Sequence, residues 1–250
     1  MIYIFLFIFI IYFYYNYNYE SFKNFNPRIA VVIPCVPKHI KHLPKLLNTI
    51  NQQTRKPNKV IIALSSSNSK NCQEVKTLKK HLDDKIIFIV DCCKEKKNAA
   101  SNRNRCLKHC LDVKYISFMD ADDEMCKDKL KLVTDIMEKY NADMGLHSFS
   151  NGSSKNKCSK GKKIYSPEEM KKIEKSDQKN LHISKVTVHH GHCTISLDLF
   201  KNHKQNENMN FGEDSKYVRD TFKKNYKVVY TNSVLSNYYY TRSTHNYGTE

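Results

Sequence analysis

The sequence predicts an α/β fold, a mainly parallel sheet with helices on both faces. Three observations carry that expectation. Short apolar runs alternate with stretches of helical period between Arg28 and Tyr140, and strands separated by helices imply right-handed crossovers between parallel neighbours. The background is rich in Lys and Asn and poor in Gly and Pro, yet its compact apolar runs favour a folded chain over a disordered one. With the unusual first stretch set aside, about one domain's worth of chain remains, enough for a single core.

That first stretch differs from everything after it. Residues 2–15 read IYIFLFIFIIYFYY, and no charged side chain precedes Glu20. As a helix, Met1 to Tyr19 reaches about 28 Å at ~1.5 Å per residue. A thin bilayer has a hydrocarbon core of about 27 Å, and Tyr14, Tyr15, Tyr17 and Tyr19 would sit at its interface. The basic n-region and small-residue cleavage site of a removed signal peptide are missing, and the run is long for a strand. The expectation is therefore a single-pass signal anchor over 1–19, a linker over 20–27 and one domain over 28–250. The side of the membrane stays open. Lys23 and Arg28, which follow the segment, argue by charge bias alone for a cytoplasmic domain.

Each later element has its own reason. Ile29–Ile33 is a strand-like run ended by Pro34. His39 to Gln53 spaces Ile40, Leu43, Leu46, Leu47 and Ile50 as one helix face. Pro57 closes that element before the second strand, Val60–Leu64. A Lys-rich helical stretch, Gln73–Leu82, leads to the third strand, Ile86–Val90. Ala99–Leu111 reads as a helix, Tyr115–Met119 as the fourth strand, and Leu130–Tyr140 as a helix burying Leu130, Val133, Ile136 and Met137. Beyond Asn141 the rhythm loosens, and Asn151–Lys163 is a polar, Lys-rich loop. Ligands of such sheets bind beyond the carboxyl ends of the strands.

Forty-two basic against twenty-five acidic residues leave a net charge of +17. A solvated lysine surface accounts for it, as does attraction to nucleotide phosphates or acidic headgroups. The clusters lack the interleaved aromatics of a single-strand groove, which argues against nucleic acid. The nine cysteines contain no C-x-x-C pair. They match neither a zinc ribbon nor a tightly patterned disulfide framework, and they leave the redox compartment open.

Three constellations could do chemistry. Asp120-Ala121-Asp122-Asp123 follows an apolar run directly. Side chains two apart on an extended backbone point the same way, so Asp120 and Asp122 can face one ligand. A hard divalent ion, Mg²⁺ or Mn²⁺, would relieve their repulsion, with water and diphosphate oxygens completing its shell; an acidic turn capping a helix is the alternative. Phe211-Gly212-Glu213-Asp214 opens a helical stretch and offers either a general base or a cap. Asn98 to Cys106 sets small residues at a helix start ahead of Arg103, which suits an approaching phosphate or an ordinary basic helix. His189, His190, His192 and Cys193 carry zinc-type donors. Along a probable strand they cannot all surround one ion, so an acceptor loop or satisfied surface histidines is expected.

In their order, the Ile33-Pro34 strand end, Asn102-Arg103-Asn104, Asp120-Ala121-Asp122 and Glu213-Asp214 resemble the family-2-type inverting glycosyltransferases of GT-A fold, over roughly Arg28 to Tyr230. The resemblance implies a nucleotide-diphospho-sugar-binding sheet, a nucleotide-sugar donor (a UDP-sugar foremost), a Mn²⁺ or Mg²⁺ cofactor and a glycan, lipid or protein acceptor. It implies Asp120 and Asp122 as metal and diphosphate ligands, with Asp122 the closer metal contact, and Asp214 as the base that deprotonates the acceptor. Pro34 and Cys35 match the turn at the nucleotide base, Arg103 a nucleotide or diphosphate contact, and Gly191 an acceptor-side loop. His245 would reach back as a third metal ligand.

Two departures stand out. Ala63-Leu64-Ser65-Ser66-Ser67-Asn68 has no carboxylate where the family has acidic residues that hold the nucleoside, and Cys106 replaces a common Gly. A sugar nucleotidyltransferase is one alternative, but Pro34-Cys35-Val36-Pro37 lacks its Gly-rich, Lys-bearing loop. A catalytically inactive nucleotide-sugar-binding protein is the other. The missing acidic pair favours it, and Asp120, Asp122 and Asp214 oppose it.

Overall fold

The computed structural model describes residues 27–151, 158–176 and 187–239. The anchor expected over 1–19 and His245 lie outside them. No helix among the described residues is long and apolar enough to cross a membrane.

Strands β1 (Ile29–Cys35), β2 (Lys59–Leu64), β3 (Ile87–Cys92) and β4 (Tyr115–Phe118) are parallel, in the order β3-β2-β1-β4. Helices α1 (Leu43–Asn51), α2 (Ser69–Thr77) and α3 (Ala99–Arg105) make the crossovers. Beyond β4 the same sheet continues through β8 (Thr194–Ser196), β6 (Met144–Asn151), β9 (Val228–Tyr238) and β5 (Glu124–Met125), with β7 (Ile164–Tyr165) also on β9. Directions are mixed there: β8 is antiparallel to β4 and β6, whereas β6 and β9 are parallel.

Strand β1 is buried along its whole length, so its alternating side chains serve two cores. Ile29, Val31 and Ile33 share one core with Leu43, Leu46 and Leu47 of α1 and with Leu130 and Val133 of α4 (Lys129–Tyr140). Ala30 and Val32 share the other with Met170 of α5 (Pro167–Ser176), Phe200 of α6 (Leu197–Asn202) and Tyr217 of α7 (Glu213–Lys223). Helices thus cover both faces, as expected.

The boundaries shift where local chemistry wins. Pro34 does not end β1. The pairing with β4 stops at Val32 and Phe118, so Pro34 lies where the strand has β2 alone as neighbour and tolerates a missing N–H. Helix α3 is shorter than its apolar spacing suggests, tightening into a 3-10 turn over Cys106–His109. That turn gathers Arg105, Lys108 and His109 on the carboxylate of Asp91. Two disulfides close as well: Cys72–Cys92 ties α2 to the end of β3, and Cys126–Cys158 ties the exit of β5 to the chain before the Ser159–Val234 bridge. Their separations of 20 and 32 residues form no pattern that spacing alone reveals.

Candidate active site

The site lies at the carboxyl end of β4, between α3 and α7. Asn98 starts α3 by accepting the Ser101 N–H at 2.9 Å. One turn later Arg103 is buried to 2 % exposure. Its Nη2 donates to Asp120 Oδ1 at 2.6 Å, and its Nη1 donates to Gln205 Oε1 at 3.1 Å and Glu213 Oε1 at 3.3 Å. Burial alone would push the guanidinium down, but Asp120, Glu213 and Asp214 raise it further and keep it charged. Arg103 therefore joins the two acidic motifs.

The rest of α3's polar face grips the segment that leads into α7. Ser101 Oγ and Asn104 Nδ2 donate to the two carboxylate oxygens of Glu207 at 2.8 and 2.9 Å. Asn98 Nδ2 donates to the Glu207 carbonyl at 2.7 Å, and Asn104 Nδ2 to the Gln205 carbonyl at 2.8 Å. No sequence signal marks Gln205 or Glu207, because their partners lie about a hundred residues away.

Helix α7 begins after Gly212, whose φ of 71° suits a residue without Cβ. Asp214 Oδ1 accepts the Ser215 N–H at 2.6 Å. Burial would raise this carboxyl, but Arg103, His190 and His189 outweigh it and hold it below the usual carboxylate range. Glu213 goes the other way: burial pushes it up, and Asp214 adds to the push against Arg103. Two adjacent carboxyls thus acquire opposite tendencies, a pattern that separates acid from base roles.

Asp120 is the open member of its motif, with its side chain 26 % exposed. Asp123 is buried. Its Oδ2 lies 2.9 Å from His192 Nε2, and its Oδ1 accepts the Tyr239 N–H at 2.8 Å. Asp122 is buried near Cys35, whose thiol is driven up to about 12 by burial and, secondarily, by the Asp122 charge. The alternation expected of Asp120 and Asp122 on extended backbone gives way to a turn, which brings Asp120 and Asp123 together instead.

The histidines are not on a strand. His190–His192 is a 3-10 turn, in which residues three apart eclipse, and the rings of His189 and His192 stack at 3.9 Å. The outcome corrects the surface expectation: His190 and His192 are buried. Ligand atoms of Asp120, Asp123, His189 and His192 all lie within 4.8 Å of one another. Asp122 and Cys193 are outside that group. Gly191 permits the approach, since a Cβ there would stand 3.0 Å from Asp120 Oδ2 and 3.1 Å from Arg103 Nη2. The sequence signal for this pair was a His at i and i+3 around a Gly, legible only once the turn is known.

Pro34 and Cys35, expected at the nucleotide base, are buried at the carboxyl end of β1. Ser65 N–H donates to the Cys35 carbonyl and Ser66 N–H to the Glu95 carbonyl, while Ser67 Oγ donates to the Cys93 carbonyl at 3.1 Å. The carboxylate-free serine stretch binds the ends of β1 and β3 to one another through backbone groups.

A family model described as glycosyl transferase family 2 matches residues 30–203. Among solved structures, S. aureus TarS 1–349 in complex with UDP aligns with a TM-score of 0.62 at 17 % identity, over 85 % of this chain and 60 % of that one. Its complex with UDP-GlcNAc gives 0.65 at 16 %, over 89 % and 61 %. The mannosyltransferase PcManGT from Pyrobaculum calidifontis, in complex with GDP-Man and Mn²⁺, gives 0.62 at 14 %, over 90 % and 59 %. The chain thus spans about 60 % of the length of these relatives, and at such identities the likeness establishes the GT-A fold. No curated protein matches. With the family model running from β1 through α6 and the sheet shared with these two proteins, the chain belongs to glycosyl transferase family 2.

Proposed function

We propose that this protein transfers a sugar from a nucleotide-diphosphate-sugar to an acceptor hydroxyl by a single, inverting displacement. One observation carries the reading: Arg103 bonds Asp120 and Glu213 at once, so the donor-side carboxylates and the helix start bearing Asp214 share one site. Asp214 stays ionised at neutral pH and accepts the acceptor's proton as its oxygen attacks the anomeric carbon. The bond to the diphosphate breaks on the opposite face, which inverts the centre. Arg103 keeps the two halves in register and remains a cation beside the departing anion.

The residues present also fit a divalent ion, since carboxylate and imidazole donors converge within 4.8 Å and His189 Nδ1 is buried without a hydrogen-bond partner among the described residues. Such an ion, when bound, stabilises the charge of the leaving diphosphate. The resemblance adds Asp122 and His245 to its ligands.

UDP-sugars are the proposed donors, supported by the UDP and UDP-GlcNAc complexes of TarS; the GDP-Man complex of PcManGT supports nucleotide-sugars more broadly. The acceptor is a glycan, lipid or protein, and the apolar segment over 1–19 would hold the enzyme at a membrane. The serine stretch at the end of β2 favours one rival, a binding protein on the same scaffold. Incubating the full chain with Mn²⁺ and a panel of nucleotide-sugars separates the two. Release of nucleoside diphosphate from one donor, with an inverted anomeric product by NMR, is expected; silence on every donor favours the rival.

A further inference from the structure

We propose that Asn104 and Gln205 are positioning residues for the transfer reaction: they clasp α3 to the segment entering α7 and thereby aim the Arg103 guanidinium at Asp120 and Glu213. The inference rests on reading Asp214 as the base and the Asp120 end of the sheet as the donor side. It concerns what holds those two halves in register, which neither acidic motif does alone.

The clasp is reciprocal. Asn104 Nδ2 donates to the Gln205 carbonyl at 2.8 Å, and Asn104 Oδ1 accepts the Gln205 N–H at 3.1 Å. Gln205 lies between α6 and α7, outside any strand, yet one side chain of α3 satisfies both of its backbone groups. Both residues are buried, where an unpaired backbone group is costly, so the pairing fixes the height of the segment on the helix. Gln205 then returns the contact, because its Oε1 accepts from Arg103 Nη1 at 3.1 Å. Arg103 and Asn104 are neighbours on α3, and one residue of the segment holds both. Further along, Asn98 Nδ2 donates to the Glu207 and Met209 carbonyls at 2.7 and 3.0 Å. The segment is thus held on α3 as far as Met209, and only Asn210, Phe211 and Gly212 remain before Glu213 starts α7.

Charge explains why an amide suits this place. The guanidinium is a planar fork whose N–H groups point in fixed directions. Its Nη2 is taken by Asp120, and its Nη1 is shared between Gln205 and Glu213. Gln205 fixes the plane of the fork without adding a third bonded carboxylate, which would oppose the ionisation of its acidic neighbours. Withdrawn from the surface, Asn104 and Gln205 act through Arg103 and the start of α7. A misplacement of about 1 Å at reacting groups costs up to about a hundredfold in rate.

The test follows release of UDP or GDP by the full chain from a panel of UDP- and GDP-sugars with Mn²⁺, with rates taken per mole of folded protein. Gln205→Met keeps the length of the side chain and the backbone clasp but removes the acceptor of Arg103 Nη1. Its kcat should fall roughly tenfold to a hundredfold, with donor KM held within about twofold. In an Arg103→Lys background the same change should add less than about twofold, since both act on one contact. An unchanged kcat for Gln205→Met, or losses that multiply in the double variant, overturns the proposal. Should Gln205→Met not fold, Asn104→Asp keeps its size and the acceptor arm of the clasp and still decides the matter: kcat should fall with donor KM held, and an unchanged kcat or an effect confined to KM overturns the proposal. Asp214→Asn, assayed alongside, keeps the two readings apart. If it is not slowed, or if the parent is silent on every donor, the base reading ends and this proposal with it. A slowed Asp214→Asn beside an unchanged Gln205→Met ends this proposal alone.

Discussion

Arg103 Nη2 and Asp120 Oδ1 lie 2.6 Å apart, and the guanidinium is almost wholly withdrawn from water. A buried cation between two acidic motifs is costly to unpair, because each carboxylate would keep its desolvation without its partner. Arg103→Met is therefore expected to destabilise the fold by roughly 3–5 kcal/mol in urea unfolding. Arg103→Lys retains the charge but cannot bond Asp120, Gln205 and Glu213 together as the planar fork does. It should keep most of the stability and lose most of the turnover. Equal rates for the Lys variant and the parent would contradict the bridging role.

Asp214→Asn tests the base. Loss of general base catalysis typically costs 10²- to 10⁴-fold in rate, so transfer should fall by about that much while calorimetry finds donor affinity nearly unchanged. The folded-state value of Asp214 is depressed, so its ionised form stabilises the protein above the unfolded value of about 3.9. That contribution is lost only as pH falls through the lower folded value. The acid limb of the rate profile should accordingly lie below about pH 4; a limb near neutrality would point to a histidine instead.

Gly191→Ala probes the closeness of the histidine turn. A Cβ 3.0 Å from Asp120 Oδ2 requires the carboxylate or the turn to give way, and overpacking of this kind costs about 1–3 kcal/mol. Thermal unfolding should register that loss, and Mn²⁺ affinity should fall with it. A variant with unaltered metal binding would mean the turn and Asp120 are not jointly engaged.

His147 offers a pH test outside the carboxylates. It is buried with its ring nitrogens near the Ser148 and His192 carbonyls, and burial drives it down to about 3. The unfolded chain takes up that proton near pH 6.5, so stability is full above that value and declines as pH falls toward 3. Between pH 6.5 and 5 the loss should be about 2 kcal/mol, measurable in urea, and His147→Gln should flatten the slope.

Much of this arrangement is legible in the chain, and the illegible parts have physical reasons. The strand–helix alternation gives the parallel half of the sheet because β1 to β4 are joined by local crossovers. The mixed half is hidden, since β8, β6 and β9 pair across long separations with short or irregular registers. Asp120 and Asp214 are placed by their positions at a strand end and a helix start. Asp123, His189 and His192 are not, because a turn's side-chain directions depend on dihedrals that spacing does not encode. Arg103 is found at its motif, yet its burial, and hence its bridging role, comes from Gln205 and Glu213 more than a hundred residues on.

The covalent ties have a consequence of their own. Cys72–Cys92 fastens α2 to the end of β3, and Cys126–Cys158 fastens the far edge near β9. Reduction should lower stability by about 2–4 kcal/mol for each bond, and alkylation mass spectrometry under non-denaturing and denaturing conditions should find those four thiols blocked. Glutathione-rich surroundings would keep them open. Keeping both bonds closed therefore requires oxidising surroundings. The redox state of the surroundings thereby becomes a condition on how firmly both edges of the sheet are held.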